Sequence, residues 1–194
     1  MKTDWREKYR VRISAAFGIA FLWGAKPEHV VLLICGFIVS FAGLFLRQWA
    51  AGCVRKNDEL ADTGPYAMVR HPLYAGSFLI SLGMVLAATV FKFRLFDPHF
   101  ELTFFYWISL WALGDSIYLP KILREEEQLR EKFGARYVEF CRTVPRLLPK
   151  AESVIRPDFS TFSKELWKKN QEYSSAIGFA AIWIVLLFRY IYHR

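Results

Sequence analysis

Long apolar blocks separated by basic segments constrain the fold of this chain more than any other feature. Five blocks stand out, at residues 11–23, 29–46, 73–91, 102–119 and 175–192. A helix needs about 20 predominantly apolar residues to cross a bilayer, and most of these blocks approach that length. With 54% hydrophobic residues, the composition is typical of a membrane protein rather than a soluble domain. The sequence therefore predicts an all-α polytopic membrane protein, a single domain over 1–194, with about five transmembrane helices.

The lysines and arginines predict how these helices are oriented. In the five-span layout, 21 of the 26 fall on one side, in the segments 1–12, 47–70 and 121–169, and five fall on the other. Cytoplasmic loops hold the excess of positive charge, so this side, with the N-terminus, is expected to be cytoplasmic and the C-terminus outside. Four spans with an interfacial first helix are the alternative. Because topology explains the net charge of +8, no nucleic-acid partner is expected.

The N-terminus and the cysteines exclude other classes of segment and site. Segment 1–12 has five basic residues, and no cleavage-site pattern follows its short apolar core, so we expect a retained first helix and not a signal peptide. Cys35, Cys53 and Cys141 are odd in number, widely spaced and without paired histidines. This pattern supports neither a disulfide framework nor a zinc site, and no metal site is expected.

The stretch 64–76, GPYAMVRHPLYAG, contains the first candidate site. Pro72 lacks an N–H and disfavours a helical conformation for the residue before it, so a helix is expected to begin at Pro72. Arg70 and His71 then stand beside the unpaired N–H groups of that helix, which favour a carboxylate or a phosphate. Gly76 leaves bare backbone in the first full turn. A positive-inside anchor before an ordinary helix start is the alternative interpretation.

The segment 121–140 contains the second candidate site. Apolar side chains recur on one helical face, at Ile122, Leu129, Phe133, Tyr137 and Phe140. A helical wheel places Glu126 on this apolar stripe, Glu125 at its edge and Glu127 pointing away, and Gly134 is a candidate bend. A desolvated carboxylate costs several kcal/mol unless a cation or a hydrogen-bond donor meets it. A ligand is therefore favoured for Glu126, with a pair to Arg130 as the alternative.

In this order and spacing, the motifs resemble the isoprenylcysteine carboxyl methyltransferase and phospholipid methyltransferase family. The resemblance covers about residues 47–149: GPY and RHPLYAG, a pair of membrane helices, Glu125-Glu126-x-x-Leu-x-x-x-Phe-Gly-x-x-Tyr, and a closing VPRLLP at 144–149. It implies a membrane methyltransferase that uses S-adenosylmethionine to methylate a lipid or lipidated acceptor. Both carboxylate O-methylation and amine N-methylation fit.

The resemblance also implies roles for individual residues. The cofactor would be bound at the cytoplasmic face by Tyr66, Arg70, His71, Pro72, Tyr74, Gly76, Glu125 and Glu126. Arg47 or Arg146 would position a carboxylate acceptor. An amine acceptor would need a base, such as a glutamate or Tyr74.

Two alternatives come from other functional classes. The Arg-His-Pro segment and the later Tyr and Pro-Arg elements also resemble the C-terminal part of membrane sterol reductases, which use NADPH. A non-enzymatic membrane scaffold is the third candidate. The sequence leaves the methyl acceptor and the oligomeric state open.

Overall fold

A computed structural model describes residues 16–55, 59–90, 98–150 and 158–192. The basic segment 1–12 and the first residues of the predicted span 11–23 lie outside this range, as does residue 91 at the end of the third predicted span. Every residue of the two candidate sites lies within it.

The described chain is helical and contains no β-strand, which confirms the all-α prediction. In chain order its helices are α1 (residues 16–24), α2 (Val30–Cys53), α3 (Pro72–Ala87), α4 (Pro98–Leu113), α5 (Leu119–Phe133), α6 (Ala135–Thr143), α7 (Lys164–Lys169) and α8 (Tyr173–Tyr192). A 3₁₀ turn at Gly64–Ala67 precedes α3, and a π-helical segment at Gly114–Tyr118 joins α4 to α5.

Among the described residues, two helices are long and apolar enough to cross a membrane, α2 with 24 residues and α8 with 20. Only 22% of the apolar window of α2 and 17% of that of α8 is buried inside the protein, whereas the core helix of a soluble protein is mostly buried. The predicted number of about five spans is not met. Helix α3 is apolar but has 16 residues, which span about 24 Å at 1.5 Å per residue.

Helix α3 begins at Pro72, as predicted, but ends at Ala87 rather than at residue 91. The Thr89 hydroxyl donates to the Val85 carbonyl at 2.9 Å, and the Val90 N–H donates to the Thr103 hydroxyl at 3.1 Å. Side-chain hydroxyls that bond to nearby backbone compete with the helical ladder. The apolar run of the sequence therefore extends beyond the C-terminal end of the helix.

Helix continues through Pro120, from α4 to Phe133. The Leu119 N–H bonds to the Gly114 carbonyl, five residues back, which marks a π turn. In a regular α-helix the ring of Pro120 would clash with the preceding turn. The wider turn before it accommodates this ring, and the Ser116 hydroxyl bonds to the Ala112 carbonyl there.

The described chain divides into two compact units. Unit one comprises the described residues of 1–40, 81–120 and 179–194, and unit two comprises those of 41–80 and 121–178. In unit one, a Cβ on Gly36 would come within 2.9 Å of Ala87, and a Cβ on Gly83 would meet the Gly36 carbonyl. Small residues therefore let these two backbones pack closely, as at helix contacts in membranes.

Candidate functional site

The predicted amphipathic segment forms two helices in unit two, α5 and α6. Gly134 separates them in a positive-φ conformation of 54°, which a glycine adopts without strain. Ile122 and Tyr137 on the predicted stripe are 2% and 1% exposed. The Glu126 side chain is 13% exposed, whereas Glu127 lies in solvent. The wheel therefore assigned the buried face correctly.

Two non-helical segments meet beside α5. The Arg70 N–H donates to the Pro145 carbonyl at 2.9 Å, and the His71 N–H donates to the Arg146 carbonyl at 3.2 Å. This backbone pairing fixes the residues before α3 against those after α6. It brings Arg70, His71 and Arg146 to the same place.

The Glu126 carboxylate is the centre of this arrangement. The Arg146 guanidinium binds it in a bidentate manner, with Nε 3.0 Å from Oε1 and Nη2 2.7 Å from Oε2. Arg70 Nη2 lies 3.2 Å and His71 Nε2 lies 3.3 Å from the same Oε1 atom. Bidentate arginine–carboxylate pairs are among the stronger hydrogen-bonded pairs in proteins. The part-buried carboxylate therefore has its counter-charges within the protein.

The second carboxylate, Glu125, is more exposed and has different partners. The Tyr74 hydroxyl donates to Glu125 Oε1 at 2.7 Å, and Lys121 Nζ lies 3.9 Å from the same oxygen. His71 Nδ1 lies 3.9 Å from Oε2, beyond hydrogen-bond reach. We call Arg70, His71, Glu125, Glu126 and Arg146 the arginine–glutamate cluster.

Burial and charge set the protonation of this cluster. Burial alone would raise the pKa of Glu126, but the hydrogen bond from Arg146 and the charge of Arg70 outweigh it and lower the pKa. Burial lowers the pKa of His71, and the nearby Glu126 offsets this only in part. At neutral pH Glu126 is therefore ionised and His71 is neutral. The Nε2 proton of His71 is assigned from its contact with Glu126.

The position of Glu126 changes what the start of α3 can do. The sequence predicted that Arg70 and His71 would receive the carboxylate of a ligand. In the structure they contact a carboxylate of the protein itself, Glu126. An incoming anion must therefore compete with Glu126 or use the positive charge that remains after Arg70 and Arg146 have paired with one carboxylate.

Arg47 is placed in a second polar network of unit two. It forms an ion pair with Glu172, whose side chain is 10% exposed. Its Nη1 atom also donates to the Leu73 carbonyl at 3.2 Å and to the Ser77 hydroxyl. The sequence predicted a catalytic role for Arg47 and left Glu172 outside the motifs. A cation within an apolar helix, and an acid directly before the last apolar block, were the available signals for this pair.

The remaining predicted site residues have packing positions. Tyr66 lies in the 3₁₀ turn before α3 and is 8% exposed, and burial raises its pKa, which keeps the phenol neutral. Gly76 faces α2, where an added Cβ would lie 2.6 Å from Arg47 Cγ and 2.7 Å from the Gly43 carbonyl. The backbone of Gly76 is thus covered by a helix, and a glycine is needed there for close packing. Pro72 is fully buried at the start of α3.

Comparisons with known proteins point away from the predicted enzyme. No family model matches the chain, and no solved structure matches it. The chain is 24% identical over 186 residues to the nickel-cobalt-cadmium resistance protein NccN of Alcaligenes xylosoxydans xylosoxydans, covering 94% of this chain and 79% of that protein. It is 24% identical over 171 residues to the cobalt-zinc-cadmium resistance protein CzcN of Cupriavidus metallidurans, covering 84% of this chain and 69% of that protein.

The names of these relatives raise the question of a metal site. Within the described residues, no group of three or more His, Cys, Asp and Glu side chains is arranged to hold a metal ion. In the arginine–glutamate cluster, His71 and Glu126 lie close together, but two guanidinium groups occupy the carboxylate oxygens. The arginine–glutamate cluster therefore does not fit a bound transition metal.

These findings correct the family and enzyme class predicted from the motifs. The relatives are named as metal-resistance proteins, not as methyltransferases, so the assignment to the methyltransferase family and the prediction of methyltransferase activity are wrong. The chain is similar over most of its length to metal-resistance proteins.

Proposed function

We propose that this chain is a membrane component of a system that confers resistance to divalent transition-metal ions such as nickel, cobalt, cadmium or zinc. The observation that carries the proposal is its similarity to NccN, which extends over 94% of this chain and 79% of the relative. A match of that extent concerns most of both proteins and not a short shared segment. CzcN supports the same function with 84% of the chain covered.

We infer that the chain passes the membrane several times, with its N-terminus and the arginine–glutamate cluster on the cytoplasmic side. The outward apolar side chains of α4 support a further membrane segment: Phe104, Phe105, Ile108 and Trp111 are 54% to 73% exposed. The split of basic residues, 21 against five, supports the orientation. Alkaline phosphatase fused after Lys150 should be inactive and after Arg194 active; the reverse pattern would refute this topology.

The role we propose for the chain is not coordination of the metal ion by the cluster. Arg70 and Arg146 carry two positive charges against the one negative charge of Glu126, while Lys121 faces the second carboxylate, Glu125, at 3.9 Å. The three cations exceed the two carboxylates by one charge, and cations repel a divalent metal ion. The same excess favours an anionic group. We therefore propose that the cluster binds a small ligand through a carboxylate or a phosphate, with S-adenosylmethionine as the candidate that the motifs suggest.

A growth assay tests the proposed function. A strain that lacks the gene for this chain should stop growing at lower concentrations of at least one of nickel, cobalt, cadmium and zinc than the parent strain. Growth without added metal, and growth in high magnesium, should be equal in the two strains. Unchanged tolerance to all four metal ions would contradict the proposal.

A further inference from the structure

A cavity of about 400 Å³ lies in unit two, between the end of α2 and the residues before α8. Its lining residues are Val54, Arg55, Leu166, Lys169, Asn170 and Gln171. The volume falls within the range of about 300–1,000 Å³ that small-molecule sites occupy. The cavity is lined by different residues from the arginine–glutamate cluster, so it is a separate feature of this unit.

The carbonyl groups at the C-terminal end of α2 accept hydrogen bonds from groups other than Arg55 and Lys169. The Asn170 amide donates to the carbonyls of Ala51 at 2.8 Å and Val54 at 3.2 Å, and the Ser163 N–H donates to the Gly52 carbonyl at 2.8 Å. These bonds satisfy carbonyls that a helix end would otherwise leave unpaired. Arg55 and Lys169 therefore retain their charges for another partner.

The existing ion pair of Arg55 is weak enough to be exchanged. Arg55 Nη1 lies 3.6 Å from Glu59 Oε1, and the two side chains are 59% and 69% exposed. Exposed pairs of this kind contribute about 0–1 kcal/mol, so a better anion can replace Glu59.

With the chain in a membrane as proposed, the cavity lies near the lipid headgroups. Helix α2 ends at Cys53 and α8 begins at Tyr173, and these are the two helices able to cross a membrane among the described residues. Aromatic rings lie near these helix ends: Trp167 meets Tyr173 edge to face with ring centroids 6.2 Å apart, and the ring centroids of Trp49 and Phe159 are 4.4 Å apart. Tryptophan and tyrosine concentrate at membrane–water interfaces.

We propose that this cavity binds a phosphate group, and that the phosphate belongs to the headgroup of an anionic phospholipid. Arg55 and Lys169 neutralise the phosphate, and basic pockets beside membrane helices bind anionic headgroups in this way. The site rests on the proposed membrane location and not on the proposed role in metal resistance.

Native mass spectrometry of the full chain released from lipid nanodiscs tests this site. The nanodiscs contain phosphatidylcholine alone or mixed with phosphatidylglycerol, and inorganic phosphate is added in a separate arm. The unmodified protein should retain one phosphatidylglycerol molecule. The double variant Arg55→Gln with Lys169→Gln should retain it at least tenfold less often, whereas the control Lys164→Gln with Lys168→Gln should match the unmodified protein.

A gain of binding provides a second test that does not depend on removing charge. Gln171→Lys adds a cation to the cavity lining and should increase retention of phosphatidylglycerol. Equal loss in the control variant would mean that surface charge alone attracts the lipid, and would overturn the site. Release of the lipid by millimolar inorganic phosphate would assign the cavity to soluble phosphate and overturn the lipid proposal. Metal tolerance is measured separately, so its outcome does not bear on this result.

Discussion

Replacing Glu126 with glutamine removes the single negative charge that Arg70, His71 and Arg146 share. The variant retains the shape of the side chain, but the new amide nitrogen is a hydrogen-bond donor and faces the donor groups of the two arginines. Removing one partner of a buried ion pair costs about 3–5 kcal/mol, because the other charge stays buried. The Arg70 side chain is only 12% exposed and is largely shielded from water, whereas that of Arg146 is 39% exposed and can turn outward.

We therefore expect Glu126→Gln to lower the free energy of unfolding by about 2–4 kcal/mol. For a chain of this size that corresponds to a fall of about 5–15 °C in the thermal midpoint. Glu127→Gln, one position along α5 and exposed to solvent, is the matched control and should change stability by no more than about 0.5 kcal/mol.

Thermal unfolding in one detergent, followed by tryptophan fluorescence, measures both variants. The Arg146→Gln variant and the double variant complete a cycle that isolates the coupling between the two side chains. Equal thermal midpoints for Glu126→Gln and Glu127→Gln would refute the placement of Glu126 on the inner face of α5. A coupling energy near zero would refute the bidentate pair with Arg146.

Three further predictions concern packing, pH and ligand binding. Gly83→Ala should destabilise unit one by about 1–3 kcal/mol in thermal unfolding, because the added Cβ meets the Gly36 carbonyl. The control Gly178→Ala has open space around the added Cβ and should be close to neutral, and equal stability of the two variants would exclude the close helix contact. The folded protein lowers the pKa of both His71 and Glu126, so its stability should be greatest near pH 7. Stability should fall as the pH drops below 6.5, the ordinary pKa of histidine, and fall further toward pH 4. A thermal midpoint that rises on acidification would contradict this. Titration calorimetry in detergent should show binding of S-adenosylhomocysteine and not of NADPH, with binding lost in His71→Ala; no heat with the first compound would exclude the ligand that the motifs suggest.

Local constraints on single residues were readable from the sequence. Pro72 set the start of α3 because its ring and missing N–H act on the chain irrespective of tertiary structure. Spacing of apolar residues in α5 and α6 identified Ile122 and Tyr137 as buried, and it separated Glu126 from Glu127, because helical periodicity is a local property.

Contacts between distant segments were not readable in this way. The partners of Glu126 come from two segments on either side of it, and Arg47 pairs with a residue 125 positions away. A chain with several arginines and glutamates allows many such pairs, and periodicity does not choose among them. The wheel therefore indicated that Glu126 needed a partner but not that the partners were Arg70, His71 and Arg146.

The motifs indicated residues that lie close together, but the activity they implied is contradicted. The resemblance to methyltransferases singled out residues that lie together in unit two, but the relatives are named for metal resistance. A shared cluster of residues limits which ligands a site can bind, but proteins that share such a cluster can have different functions.

The most direct measurement joins the cluster to the proposed function. In a strain lacking this chain, cadmium tolerance is measured after return of the gene as the unmodified sequence, as Glu127→Gln and as Glu126→Gln, with equal amounts of protein in the membrane. We predict that the first two restore growth and that Glu126→Gln does not. Full restoration by Glu126→Gln would contradict the account, because the arginine–glutamate cluster would then be dispensable for metal resistance.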